Sequence, residues 1–257
     1  ANVDFVDIDP STYNIDVNIL KKKLIESKQK NRLPKILIVV HLCGHPCDLS
    51  EIYKLSLEFG FEIIEDASHA LGAKYNSSLI GSCNYSKITI FSFHPVKMIT
   101  TGEGGMALTN DPIIFENMKL LRSHGITRDS NLMTSSKEGP WYYEQLELGY
   151  NYRMTDIQAA LGISQLKKLN KFIEKRTSIA SRYKEKISSS KIQLPTLLEN
   201  VKSSWHIFVI CLKDIEIDKK RDLFELFKNQ GIIVNLHYIP IHLHPYYKKM
   251  GFLKGQF

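Results

Sequence analysis

The sequence predicts an α/β protein: a large domain on a mostly parallel sheet over residues 1–170, then a smaller α+β domain over residues 171–257. Three observations carry that prediction. Ile36-Leu-Ile-Val-Val40 is an unbroken, largely β-branched run, the pattern of a strand buried on both faces of a parallel sheet. A helix-length segment ending at Phe59 separates it from a second run, Phe61-Glu-Ile-Ile-Glu-Asp66, and the two make one βαβ unit whose crossover is expected to be right-handed. After Pro195 the composition changes, and a short set of strand, helix and strand patterns closes the chain.

Each element has local reasons. Val3 to Asp7 reads as a short strand and Asp9-Pro-Ser-Thr as a turn. Asp16 caps an amphipathic helix that carries Leu20, Leu24 and Ile25. Lys28 to Pro34 is a polar loop before the 36–40 strand. Asp48 or Ser50 caps the next helix, and Gly60 ends it. Ile88-Thr-Ile-Phe91 and Met106-Ala-Leu-Thr-Asn110 are further strands, and Asp111-Pro112 starts a helix through Leu121, since proline suits a first turn. Residues 125–149 form a long polar loop of the functional kind, with Trp141, Tyr142 and Tyr143 as flat surfaces for stacking or as an aromatic satellite cluster. Thr155 caps a helix that runs, with a bend, towards Ile187 and carries Ile157, Leu161, Leu166 and Leu169. In the second half, Ser204 to Leu212 reads as a strand, Lys219 to Gln230 as a helix ended by Gly231, Ile232 to Asn235 as a strand, and His237 to Tyr247 as a loop.

The chemistry concentrates around Phe91-Ser-Phe-His-Pro-Val-Lys97 and Thr100-Thr-Gly-Glu-Gly-Gly105. A strand delivers Lys97 to a place surrounded by small, flexible residues, an odd setting for a solvated surface charge; Pro95 bends the chain just before it. Asp66 ends its own strand at the C-terminal edge, where open α/β sheets place ligand contacts. A strand-end carboxylate and a later strand-end amine are the two groups pyridoxal phosphate needs, one for the ring nitrogen and one for the Schiff base. His69, three residues beyond Asp66, reads as a capping or core histidine. The Ser92 hydroxyl can donate to a phosphate oxygen or be satisfied by backbone, and His94 can face a substrate or cap the turn.

Glu65-Asp-Ala-Ser-His-Ala-Leu-Gly-Ala73, the 91–105 segment and Gly149-Tyr-Asn-Tyr-Arg-Met-Thr-Asp-Ile-Gln-Ala-Ala-Leu-Gly162 together resemble the DegT/StrS-type nucleotide-sugar aminotransferases, over nearly all of the chain. The wording of 92–97, with Leu121-Arg-Ser-His-Gly-Ile126 and Trp141-Tyr-Tyr-Glu-Gln-Leu146, is most similar to the branch that aminates a UDP-4-keto-6-deoxy-N-acetylhexosamine in pseudaminic acid biosynthesis. The resemblance implies the pyridoxal-phosphate-dependent transferase fold of aspartate aminotransferase, fold type I. It also implies Lys97 as catalytic lysine, Asp66 on the ring nitrogen, His69 over the ring, Ser92 on the phosphate, and Asn151 reaching the cofactor phosphate of a neighbouring subunit in a homodimer. Glutamate is the implied amino donor, leaving 2-oxoglutarate, and His94, His237 and Tyr238 are implied substrate contacts. Family relatives that dehydrate carry histidine in place of the lysine, so Lys97 favours transamination. By the same comparison the chain reads as truncated at both ends, which leaves as alternatives a catalytically idle binding or dimerising module of the same fold, or an aminotransferase acting on a different nucleotide-activated keto sugar.

Composition is that of a globular protein, 43% hydrophobic and 24% charged, and no apolar run reaches the length of a membrane span. The net charge of +7 comes from short lysine groups such as Lys21-Lys-Lys23 on polar faces, without aromatic interleaving, so a nucleic-acid partner is not expected. A modest positive field suits an anionic sugar nucleotide. Cys43, Cys47, Cys83 and Cys211 have no disulfide-like spacing, which points to a reducing cytoplasm. His41-Leu-Cys-Gly-His-Pro-Cys47 resembles a zinc site by content, but Gly44 and Pro46 break the regularity and so tight a cluster rarely closes one tetrahedron; no metal is expected there or at the 237–247 histidines. A dinucleotide-dependent dehydrogenase is disfavoured because no Gly-x-Gly-x-x-Gly follows an opening strand.

Overall fold

The computed structural model describes residues 2–135 and 139–257; Ala1 and three positions of the 125–149 loop lie outside it. Helix α1 (Val17–Gln29) starts where Asp16 accepts the N–H groups of Asn18 and Ile19, and buries Leu20 and Leu24. Strand β1 (Ile36–Val40) leads through the 41–47 loop to α2 (Leu49–Phe59), capped by Asp48 and stopped by Gly60 at φ +73. Strand β2 (Glu62–Asp66) follows, then a small hairpin of β3 (Lys74–Tyr75) and β4 (Ser78–Leu79). Strands β5 (Ile88–Ser92) and β6 (Gly105–Leu108) complete a four-stranded sheet of order β1-β2-β5-β6, parallel except for β6.

Helix α3 (Pro112–Arg122) is capped by Asp111, and within the 125–149 loop β7 (Ile126–Thr127) pairs with β8 (Glu144–Gln145). The expected bent helix is two helices, α4 (Asp156–Leu166) and α5 (Leu169–Lys186), broken at Lys167 and Lys168. Short strands β9 (Ile192–Gln193), β10 (Val201–Lys202) and β11 (Cys211–Leu212), then α6 (Ile217–Asn229) and a one-turn α7 (Pro245–Lys248), finish the chain. The core packs Leu20, Leu24, Ile52, Leu55 and Phe59 from the first two helices against Val39, Ile63 and Phe91 of the sheet, with Leu169 and Ile173 of α5 joining them.

Four readings of local pattern are corrected. Val3 to Asp7 is not a strand; its neighbourhood holds one isolated bridge, Ile8 with Ile15. Ile232 to Asn235 is irregular, and Ser204 to Leu212 is a strand only at Cys211 and Leu212. The 36–40 strand is not buried on both faces: Val39 is buried, whereas Ile36, Ile38 and Val40 are 54%, 61% and 42% exposed. The helices cover one face of the sheet, and the register aligns Val40, Asp66 and Ile90 side by side on the other. Hydrophobicity reports a strand's preference for burial, whereas coverage depends on what lies over it.

Candidate active site

The sheet register assembles the site. Asp66 is the last residue of β2 and pairs in register with Ile90 of β5, so Ser92 lies two residues further along the neighbouring strand on the same face. The chain then leaves the sheet in a closed excursion. Phe93 N–H donates to the Gly104 carbonyl at 2.8 Å, Thr101 N–H returns to the Phe93 carbonyl at 3.0 Å, and a turn within it, Lys97 N–H to the His94 carbonyl at 2.9 Å, presents Lys97. Gly104 and Gly105 sit where a Cβ would meet the Thr101 hydroxyl at 2.3 Å and the Phe91 carbonyl at 2.9 Å, so the return path admits no side chain.

Lys97 is half-buried, and burial holds its amine below the ordinary 10.5 while the nearby Asp66 carboxylate opposes that shift. His69 is pushed down to about 4, first by burial, then by the positive charge of Lys97 and by His237, with Asp66 again opposing. Asp66 therefore lies within electrostatic reach of both the amine and the imidazole. Asp66 also accepts the Ser68 N–H at 3.0 Å, which fixes its carboxylate, and Cys43 N–H donates to His69 Nδ1 at 3.3 Å, which leaves the ring proton on Nε2.

Of the remaining expected site residues, Ser92 is half-buried and its Oγ accepts the His94 N–H at 3.4 Å. His94 is exposed on the turn, 3.8 Å from Glu103. The His237 ring lies 6.3 Å from the His69 ring and joins the cluster, whereas Tyr238 is turned to stack on His244 at 5.6 Å. Asn151 is exposed and bridges to Ser123, between Tyr150 and Tyr152, whose rings stack at 4.8 Å. The 41–47 histidines and cysteines are used for packing. His41 Nδ1 accepts the Cys47 N–H at 3.0 Å, and its Nε2 donates to Glu65 at 2.8 Å. His45 pairs with Ser203 at 2.6 Å, and burial lifts the Cys43 thiol to about 12. Among the described residues no group of three or more His, Cys, Asp or Glu is arranged to hold a metal ion.

Sequence reading missed His206. It hid in a segment that reads as strand, yet its ring packs 4.5 Å from that of His69, and burial, His69 and Lys97 push it down to about 3. The nearest signal was the Trp-His pair itself, preceded by two serines and followed by an apolar run.

Comparison with known proteins gives a consistent picture. A model of the DegT/DnrJ/EryC1/StrS aminotransferase family matches residues 1–256. An uncharacterized protein of Methanocaldococcus jannaschii is 44% identical, aligned over 98% of this chain and 64% of its own. The UDP-4-amino-4,6-dideoxy-N-acetyl-beta-L-altrosamine transaminase of Campylobacter jejuni is 39% identical over 97% of this chain and 63% of its own. Among solved structures, Helicobacter pylori PseC, an aminotransferase involved in the biosynthesis of pseudoaminic acid, superposes with a TM-score of 0.85 at 31% identity, over 96% of this chain and 62% of that one. A putative sugar aminotransferase of Streptococcus pneumoniae, solved in PLP and PMP forms, superposes with TM-scores of 0.80 and 0.82 at 28% and 29% identity, covering 96% of this chain and 64% and 65% of those. The chain thus spans a little under two thirds of the length of the relatives it matches.

Proposed function

Because the chain belongs to the DegT/DnrJ/EryC1/StrS aminotransferase family, whose members depend on pyridoxal phosphate, we propose that it serves a sugar-nucleotide aminotransferase. The reaction is transfer of an amino group from glutamate to the 4-keto carbon of a UDP-4-keto-6-deoxy-N-acetylhexosamine, in pseudaminic acid or related surface-glycan biosynthesis. The observation that supports this reading is the placement of Asp66 at the end of β2, in register with Ile90 of β5, and of Lys97 on the turn that leaves β5, where the carboxylate raises and burial lowers the basicity of the amine.

The residues present fit pyridoxal phosphate: Asp66 and Ser92 lie on the same face of the sheet, and the Lys97 amine and the neutral His69 ring are within electrostatic reach of Asp66. When bound, the cofactor supplies an aldehyde for the amine and an electron sink for the carbon that loses its proton. Lys97 would hold the group, and its lowered basicity suits a side chain that would also accept and return a proton at the reacting carbon. Asp66 would keep the ring nitrogen protonated, His69 would lie against the ring, and Ser92 would donate to the phosphate. His94 and His237 would face the sugar nucleotide, and Tyr238, stacked on His244, would have to turn to join them.

Asn151 is offered to a second copy of the chain, which makes the protein a homodimer with composite sites. An exposed apolar surface supports this: Trp141, Leu148, Tyr150, Tyr152 and Ile157 flank Asn151 in sequence, with Leu148 and Ile157 87% and 85% exposed. Among the described residues no helix is long and apolar enough to cross a membrane, and with three buried free cysteines the reading places the protein in the cytoplasm. Adding pyridoxal phosphate to the protein tests the proposal. A visible band that shifts with glutamate and vanishes in Lys97→Ala supports it; a wild-type protein without such a band refutes it.

A further inference from the structure

His69 owes its placement to the second half of the chain. The Ser203–His206 turn docks on the 41–47 loop: Ser204 N–H donates to the Gly44 carbonyl at 3.1 Å, Ser203 Oγ donates to the same carbonyl at 2.9 Å, and His206 N–H donates to the Cys43 carbonyl at 2.9 Å. From the other side, Arg176 Nη1 on α5 donates to the carbonyls of Trp205 and His206 at 3.1 and 2.9 Å. Trp205 takes φ +51, a left-handed conformation rare for so bulky a residue. Such geometry persists where surrounding contacts over-determine it, and it concentrates at functional sites.

This turn reaches His69 at two points directly and at a third through Cys43. Ser204 Oγ donates to the His69 carbonyl at 2.8 Å, and the His206 ring packs on the His69 ring at 4.5 Å. Cys43, whose carbonyl holds His206, donates its own N–H to His69 Nδ1. The His206 side chain is itself enclosed, at 9% exposure, and its Nδ1 is buried without a hydrogen-bond partner among the described residues. A proton there would have no acceptor, so the ring stays neutral and lies against His69 without repelling it.

We propose that His206 is a positioning residue, by which the Ser203–His206 turn sets the plane of His69 and so the face that His69 offers to the cofactor. The functional part of this inference rests on the pyridoxal-phosphate reading of the site; the mechanical part does not. Two measurements on the whole protein test it, histidine ring titration by NMR without cofactor and pyridoxal phosphate affinity by equilibrium dialysis. The groups facing His69 are Lys97, His237, Asp66 and His206 itself.

In the wild type, His69 signals hardly move between about pH 7 and about pH 5, since the ring titrates far below its ordinary range. In His206→Ala, water reaches the ring, the titration rises by about one pH unit or more, and cofactor affinity falls about fivefold. His206→Phe keeps the shelf and holds affinity within about a factor of two of wild type. Arg176→Ala, which loosens the turn without touching the cluster's rings, moves His69 in the same direction as His206→Ala, and a cooperative melt shows that each variant is folded. An unmoved His69 in both folded variants overturns the proposal, as does His206→Phe proving as harmful as His206→Ala. If the wild type binds no cofactor at Lys97 while His69 still responds, the positioning holds and the cofactor reading alone falls.

Discussion

A lysine can move protons near neutral pH only if its surroundings disfavour the ammonium, and burial does this for Lys97. Lys97→Arg keeps the positive charge but can neither release a proton nor hold an aldehyde, so amino transfer should fall by at least about 10²- to 10⁴-fold, followed as 2-oxoglutarate formed from glutamate. Histidines shape stability as well. His45 is buried, its Nε2 has no hydrogen-bond partner among the described residues, and burial lowers it to about 4 from an ordinary 6.5. The unfolded chain then binds a proton that the folded chain refuses, so its contribution is complete above pH 6.5 and is lost as pH falls towards 4. Glu65 acts in the same direction. Its folded value is lowered because hydrogen bonds from His41, Ser86 and Thr89 outweigh desolvation, the largest single influence, so its stabilisation is present above the ordinary carboxylate value and lost below it. Thermal midpoints should therefore decline from pH 6.5 downward, and His45→Gln should flatten the upper part of that decline; a native profile level down to pH 4 contradicts this assignment.

At the scale of elements, caps decide where helices begin and what they hold. Thr155 and Gln158 form a reciprocal capping box on α4, and the Gln158 amide also donates to the Glu103 carbonyl at 3.0 Å, tying the helix start to the excursion that carries Lys97. Thr155→Ala should cost about 1 kcal/mol in a denaturant titration. Such features were legible beforehand: Asp16, Asp111, Thr155 and Gly60 all mark ends that the structure keeps, because capping is a local interaction between residues two to four apart. The strands carrying Asp66 and Ser92 were legible for a similar reason, as apolar runs of strand length. What could not be read depends on distant partners. Ser204 to His206 has the composition of a strand but turns at Trp205, because Arg176 and the 41–47 loop hold it there. Its histidine therefore joined the site unannounced.

For the whole molecule, the candidate site lies where the open face of the sheet meets the excursion between β5 and β6, and a second copy is the expected neighbour of Asn151. An interface that uses the exposed apolar surface of residues 141–157 would lose affinity from a buried charge. Ile157→Asp should shift the protein from dimer to monomer in analytical ultracentrifugation; wild type sedimenting as monomer would remove Asn151 from the composite-site argument. The central claim, however, is the covalent attachment at position 97. It is tested most directly by loading the protein with pyridoxal phosphate, reducing with borohydride to lock the cofactor onto the side chain that holds it, and mapping the product by peptide mass spectrometry. The account predicts the added mass on the peptide containing Lys97, diminished in Asp66→Asn; label on another lysine, or on none, would contradict it.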